Sequence, residues 1–276
     1  MKGSGIFILL ILFSVNSFSQ KTTDSLSYEL VNRSTLFGIG SASITDTYLS
    51  PLEYCGTSYS LLNENLKRTP LLNRKLLLQQ QIEIQIATTK NPVKTASSYY
   101  GDIAYYLNGY YPIIEVDHFR LLGGGGWDIS LGGIYNERNT NNPGSVKVST
   151  SLNLNAMSLY NWKQFTFRWQ LGTPFIGMFF SPEYGHSYYE IFALGNDKGV
   201  VNVASFNNQL ALRNYFTVDY PLKRITIRAG YLGDYYKTDV NNLITKISSH
   251  KFMIGLVFES ENLGGKRINR ERSVFY

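Results

Sequence analysis

Hydrophobic and polar residues alternate with a period of two along most of the chain, the pattern of extended strands with one apolar and one polar face. In 80–87, Ile82, Ile84 and Ile86 fall on one side and Gln81, Glu83 and Gln85 on the other. In 146–156, Val146, Val148, Leu152, Leu154 and Ala156 oppose Lys147, Ser149, Ser151, Asn153 and Asn155. The same rule sets Phe165, Phe167, Trp169 and Leu171 against Thr166, Arg168 and Gln170, and Ile225, Ile227 and Ala229 against Arg224, Thr226 and Arg228. It returns in Phe252, Ile254, Leu256 and Phe258. No segment sustains a helical period.

The pattern predicts ten antiparallel strands, near 34–47, 54–67, 75–89, 96–109, 116–135, 146–159, 163–173, 207–220, 222–237 and 248–259. Links that follow odd-numbered strands are mostly long and those that follow even-numbered strands mostly tight, as in a membrane barrel with short turns on one rim and loops on the other. The span 173–206 is too long for an idle loop, so it either folds into the barrel or hides two more strands, giving twelve. The expected fold is therefore all-β: an antiparallel up-and-down transmembrane β-barrel over 34–259.

Alternation alone also fits a soluble calycin-like barrel around an apolar ligand, so the choice of buried face decides the class. The polar faces carry Glu83, Asp102, Asp128, Arg168, Arg213, Asp219, Arg224 and Arg228. That is too much charge for the dry interior of a soluble barrel, but it suits a wet or salt-bridged lumen. Near the ends of the apolar faces stand Tyr99, Tyr105, Trp127, Tyr135, Tyr160, Trp162, Tyr220 and Tyr231, as an interfacial girdle requires. If the charges pair across the lumen they close it; if water fills it they select ions or small solutes.

The first nineteen residues stand apart. Lys2 precedes an apolar run from Ile6 to Phe13 and small or polar residues ending at Ser17, Phe18 and Ser19. This predicts a secretory signal over 1–19 cleaved to leave Gln20, because the run is too short to span a bilayer as a helix. Residues 20–33 are expected to form a short periplasmic lead and 260–276 a basic tail. The net charge of +6, from 26 Lys and Arg against 20 Asp and Glu, is concentrated partly there, in Lys266, Arg267, Arg270 and Arg272. Anionic lipid headgroups account for it as well as nucleic acid does, and export argues against nucleic acid. The expected partners are outer-membrane lipid and, during biogenesis, the barrel-assembly machinery, whose recognition signal the terminal Phe275 and Tyr276 resemble. The expected location is the bacterial outer membrane.

Candidate chemistry is sparse. Cys55 has no disulfide partner, and His118, His186 and His250 are scattered without metal-ligand spacing, so no metal or cofactor is expected. The segment SPEYGHSYYEIF at 181–192 sets His186 beside Ser187, with Glu183 and Glu190 flanking. A nucleophilic Ser needs a base in reach and a third group to orient it, so His186, Ser187 and Glu190 are the candidate triad of a surface lipid hydrolase of phospholipase or lipid A deacylase type. In an extended strand, however, His186 and Ser187 would face opposite ways, and a loop packed by its aromatics is the simpler reading. YNERNTNNPGS at 135–145 reads as a turn whose Asn side chains could also meet sugars or cations, and Gly123 to Gly126 as relief of crowding in a curved strand.

Three segments, GIGSASITDTYLSPLEYCG at 38–56, YNERNTNNPGS at 135–145 and FSPEYGHSYYEIFALGN at 180–196, together resemble a family of exported Bacteroidota proteins catalogued as domain of unknown function 3316. The resemblance implies an outer-membrane barrel without assigned activity or catalytic residues.

Overall fold

The computed structural model describes residues 30–69, 71–140, 142–222 and 225–261. The expected signal, most of the periplasmic lead, the tail beyond Glu261 and Arg224 lie outside these residues. The elements are β1 (Leu30–Asp46), β2 (Ser50–Arg68), α1 (Leu71–Arg74), β3 (Leu77–Lys90), β4 (Ser97–Val116), β5 (Phe119–Asn136), β6 (Gly144–Trp162), β7 (Phe165–Phe180), α2 (Tyr188–Phe192), β8 (Val201–Ser205), β9 (Gln209–Leu222), β10 (Ile225–Val240) and β11 (Leu243–Glu261).

All pairings are antiparallel, and β1 closes on β11 from Leu30↔Glu261 to Asp46↔Thr245, so ten strands form a closed barrel without free edges. The span 173–206 adds one short strand, and not the two needed for twelve. β7 continues to Phe180, the chain returns as β8 beside β7, and β9 resumes the same direction further along β7. β8 and β9 thus share one barrel position, interrupted at 206–208, where the Asn208 side chain accepts from the Ser205 N–H at 2.9 Å.

One rim carries the links 47–49, 91–96, 137–143, 181–200 and 241–242; we call it the loop rim. The opposite turn rim carries both ends of the described chain, the two-residue turns Asp117–His118 and Lys163–Gln164, and the longer link holding α1. The expected long link after residue 237 is replaced by a tight one. Asn241 and Asn242 both adopt positive φ, 55° and 59°, the conformation two-residue hairpins demand and Asn tolerates, so β10 and β11 run on to meet there. β1 likewise begins at Leu30, ahead of the expected start at 34.

Side-chain parity follows the sequence pattern. Ile82, Ile84 and Ile86 project outward, 44–57% exposed, as do Ile103, Leu152, Leu154, Trp169, Phe252, Ile254 and Leu256. Cys55 is on this outer surface too. Tyr99 and Tyr135 pair near the loop rim, while Tyr160, Trp162, Phe165 and Tyr220 cluster at the turn rim. Tyr105, Trp127 and Tyr231 belong to mid-strand instead of a girdle. In β7 the parity switches once. Pro174 and Ile176 pair with Asn153 and Leu152, so Phe175 is a bulge, where a proline lacking its N–H is tolerated.

The glycine run of β5 relieves crowding, as expected. A Cβ on Gly124 would lie 1.8 Å from the Gly109 carbonyl oxygen on β4, an atom that cannot move without breaking the ladder. Gly124→Ala is therefore expected to lower unfolding stability by about 1–3 kcal/mol, the usual cost of overpacking, read as a lower denaturant midpoint of the refolded barrel. An unchanged midpoint would show that β4 and β5 can spread there.

Candidate functional site

The lumen is filled by side chains in layers, legible along single strands because inward positions recur every second residue. In β2 the inward series runs Leu62, Glu64, Leu66, and in β9 it runs Arg213, Tyr215, Thr217, Asp219. At the turn rim Leu66, Leu77, Tyr110, Leu122, Met157 and Leu159 form an apolar layer. A charged layer follows, then a second apolar layer of Leu36, Leu62, Tyr215, Leu232 and Met253. A second charged layer and a cavity come next, and Ala42, Ile44, Leu49, Ala87, Ile134 and Ile247 cluster towards the loop rim.

The first charged layer centres on Glu64, which is fully buried. Its Oε2 accepts from Arg168 Nη2 at 2.7 Å and from Arg228 Nη1 at 2.5 Å. Its Oε1 accepts from Gln79 at 2.5 Å and Gln81 at 3.0 Å. Arg228 also grips Asp219 with two bonds of 2.7 Å each, a bidentate fork. Arg168 reaches Thr217 and lies 5.2 Å above the Tyr215 ring. Two carboxylates thus face two guanidiniums, and burial is tolerated because each charge is matched and hydrogen-bonded.

The second layer repeats this balance. Glu83 accepts from Lys251 Nζ at 2.6 Å and from Arg213 Nη1 at 2.8 Å, and Asp234 lies 2.8 Å from Arg213 and 3.2 Å from Lys251. Arg213 stacks 4.3 Å over Tyr106.

Seven of the eight expected lumen charges, Glu83, Asp102, Asp128, Arg168, Arg213, Asp219 and Arg228, therefore project inward; Arg224 lies outside the described residues. The two layers join five of them. Asp102 and Asp128 stand apart: among the described residues their carboxylates accept from Ser130 at 2.6 Å and Asn153 at 2.6 Å, and both lie on the wall of a cavity of about 160 Å³. Glu64, Lys251 and Asp234 were not anticipated. Lys251 was findable, since it has the opposite parity to Phe252, Ile254 and Leu256; Glu64 was not, because its inward neighbours Leu62 and Leu66 erase the alternation. Nearer the loop rim, Lys147 pairs with Asp46 at 2.9 Å.

The 181–200 link covers the loop rim and holds His186, Ser187 and Glu190. Ser187 is the N-cap of α2: its Oγ accepts from the Glu190 N–H at 3.2 Å, while Glu190 Oε2 accepts from the Ser187 N–H at 2.9 Å. This reciprocal capping box satisfies two helix-end donors. The His186 ring turns to Asn196, Nε2 to Nδ2 2.7 Å, and among the described residues no hydrogen bond joins it to Ser187 Oγ. Tyr48, whose phenol is pushed up to about 12 chiefly by burial and then by Tyr188, donates to the His186 carbonyl at 2.8 Å. Phe180, Tyr188 and Phe192 stack on one another, and Asn241 bonds the carbonyls of Ser181 and Gly199, both at 3.1 Å. The link is thus packed by its aromatics. The bonds from Ser187 hold the Glu190 carboxyl below its ordinary range, so the capping contribution is complete above that range and fades as pH falls through the lowered value. Ser187→Ala is expected to cost about 1 kcal/mol locally, seen as faster amide exchange in α2 with the barrel intact. Unchanged exchange would remove the cap from the account.

The family model described as "Protein of unknown function (DUF3316)" matches residues 6–267. No curated protein matches the sequence. Among solved structures, the chain is similar to Neisserial surface protein A (NspA), with 12% identity over 83% of this chain and 95% of that one, TM-score 0.31. It is also similar to the transport unit of the autotransporter AIDA-I from Escherichia coli, with 8% identity over 89% and 94%, TM-score 0.43. The translocator domain of autotransporter NalP from Neisseria meningitidis aligns with 10% identity over 85% and 89%, TM-score 0.38.

Proposed function

The chain belongs to this family of proteins of unknown function, and from that premise we propose that it is an outer-membrane barrel plugged by its own side chains, a structural barrel and not a solute pore. The observation that carries the reading is the alternation of closed layers across the lumen: Arg168, Arg228 and Lys251, each no more than 1% exposed, lie among apolar side chains that water cannot reach either. A water-filled channel would leave such cations hydrated. The outward band of Ile, Leu, Phe and Trp supports lipid contact, and the shared rim of short turns and chain ends supports a periplasmic turn rim. Outer-membrane lipid is then the medium of the barrel wall, and the assembly machinery its route of insertion.

Planar-bilayer recording of the purified, refolded chain is the test. No stable unitary conductance is expected; reproducible open steps would overturn the plug. Outer-membrane fractionation with heat-modifiable gel mobility tests the location, and a monodisperse protein in detergent-free buffer would defeat it. For the lipid-hydrolase alternative, Ser187 Oγ must leave its capping bond, and equal fatty-acid release by wild type and Ser187→Ala eliminates that role.

A further inference from the structure

The cavity above the second charged layer differs from the rest of the lumen in its charge balance. Glu83 and Asp234 are matched by Lys251 and Arg213, and Asp46 by Lys147. The carboxylates of Asp102 and Asp128 form no salt bridge among the described residues, yet both border the cavity, whose wall also holds Arg213 and Lys147. Each accepts at Oδ1 from a neutral donor, Ser130 or Asn153, and among the described residues no hydrogen bond reaches its other oxygen. The backbone makes room for this: a Cβ on Gly132 would lie 2.7 Å from Asp102 Oδ1, so glycine lets that carboxylate lie across β5. A second, independent mark is Ser249. It is 1% exposed, lines the same wall from β11, and among the described residues its Oγ has no hydrogen-bond partner.

Two half-buried carboxylates outside any salt bridge are costly as anions unless they take up protons or a cation shares the space. The phenol rings of Tyr100 and Tyr236 also line the cavity, and aromatic faces attract a cation through their quadrupoles. Among the described residues no group of three or more His, Cys, Asp and Glu is placed to hold a metal ion. The volume, about 160 Å³, admits a molecule of a few heavy atoms, and carboxylates, phenols and a free hydroxyl suit ammonium N–H donors on a short carbon frame.

We infer that this loop-rim cavity is a binding site for a small organic ammonium ion, held by Asp102 and Asp128 under the 181–200 link. The inference rests on the plugged-lumen reading, since the second charged layer is the floor of the site. Ligand then enters and leaves at the loop rim, without passing through the barrel.

The test is isothermal titration of the full-length protein, refolded in detergent micelles, with 1,4-diaminobutane, with glycerol and Mg²⁺ as neutral and inorganic controls. Saturable binding of the diamine is expected, weakened about tenfold by Asp102→Asn or Asp128→Asn, the worth of one charge-assisted hydrogen bond, and abolished in the double variant. Heat-modifiable mobility shows whether each variant is folded; if one is not, the wild-type titration still decides. No saturable binding by wild type, equal binding by a folded double variant, or a response to Mg²⁺ or glycerol in place of the diamine would each overturn the site. Unitary conductance would sink the plug beneath it, whereas a silent titration in a non-conducting barrel sinks the ammonium site alone.

Discussion

Glu64→Ala is expected to destabilise the refolded barrel by about 3–5 kcal/mol, the cost of leaving one partner of a buried ion pair uncompensated. The carboxylate accepts from Arg168, Arg228, Gln79, Gln81 and Ser34, so its loss strands several donors at once in a layer sealed by apolar side chains on both sides. Arg228 keeps its fork on Asp219, whereas Arg168 loses its salt bridge to Glu64. Glu64→Leu combined with Arg168→Leu should therefore recover part of the loss, because it removes both partners of that salt bridge together and leaves the Arg228–Asp219 pair in place. Guanidinium unfolding of protein refolded in lipid, followed by tryptophan fluorescence, measures both. A single-variant cost below about 1 kcal/mol, or a double variant no better than the single, would mean that Glu64 does not anchor the plug.

That anchor shows where sequence reading reaches and where it stops. β3 is legible because the middle of its inward face, between Leu77 and Ala87, is polar, Gln79, Gln81, Glu83 and Gln85, against Ile82, Ile84 and Ile86 outside. A lumen that needs only hydrogen-bonding groups yields clean alternation. β2 and β9 cross alternating layers, so their inward faces mix Leu and Tyr with Glu, Arg and Asp, and outward and inward positions look alike in polarity. Strand number, closure and the identity of most lumen charges survive this mixing, since they depend on many strands together. The layering does not, because it arises from contacts between residues such as Glu64 and Arg228 that lie far apart in sequence.

Local irregularities were illegible for a different reason. The parity switch at Phe175 and the three-residue interruption at 206–208 are short events that composition does not mark, although Pro174 next to the switch is a signal. The Asn241–Asn242 turn was marked, since two adjacent Asn residues accept the positive φ of a tight hairpin, but the polar residues beyond it read as loop. The 181–200 link shows the converse. His186, Ser187 and Glu190 fit a nucleophile's residue types, but at this spacing Ser-x-x-Glu is also a capping box, and the folded chain uses it so. For the cavity, Asp102 and Asp128 are legible as inward charges, but that they stand outside the salt bridges of the described residues is visible only in three dimensions, because those bridges join distant strands.

Whether the outward face meets lipid can be decided by a substitution whose cost depends on the solvent outside. Ile84 projects outward at mid-strand, 44% exposed, flanked across the ladder by Leu61 and Ile103, which are 47% and 54% exposed. Ile84→Arg places a guanidinium in the middle of that apolar band. In a bilayer it is expected to cost about 2–4 kcal/mol, the depth-dependent penalty of a lipid-facing charge near the midplane. On a water-exposed barrel the same change would fall within about 0.5 kcal/mol of neutral, since it disturbs no buried contact. Thr140→Arg, on the exposed 137–143 link of the loop rim, is the matched control and should cost almost nothing in either medium. Equilibrium folding into lipid vesicles from urea gives both differences. A large loss for Ile84→Arg beside a silent control assigns the apolar band to hydrocarbon, whereas two silent variants would turn the barrel inside out in physical terms, making the outer face a surface that water tolerates and the charged lumen a cost without a cause.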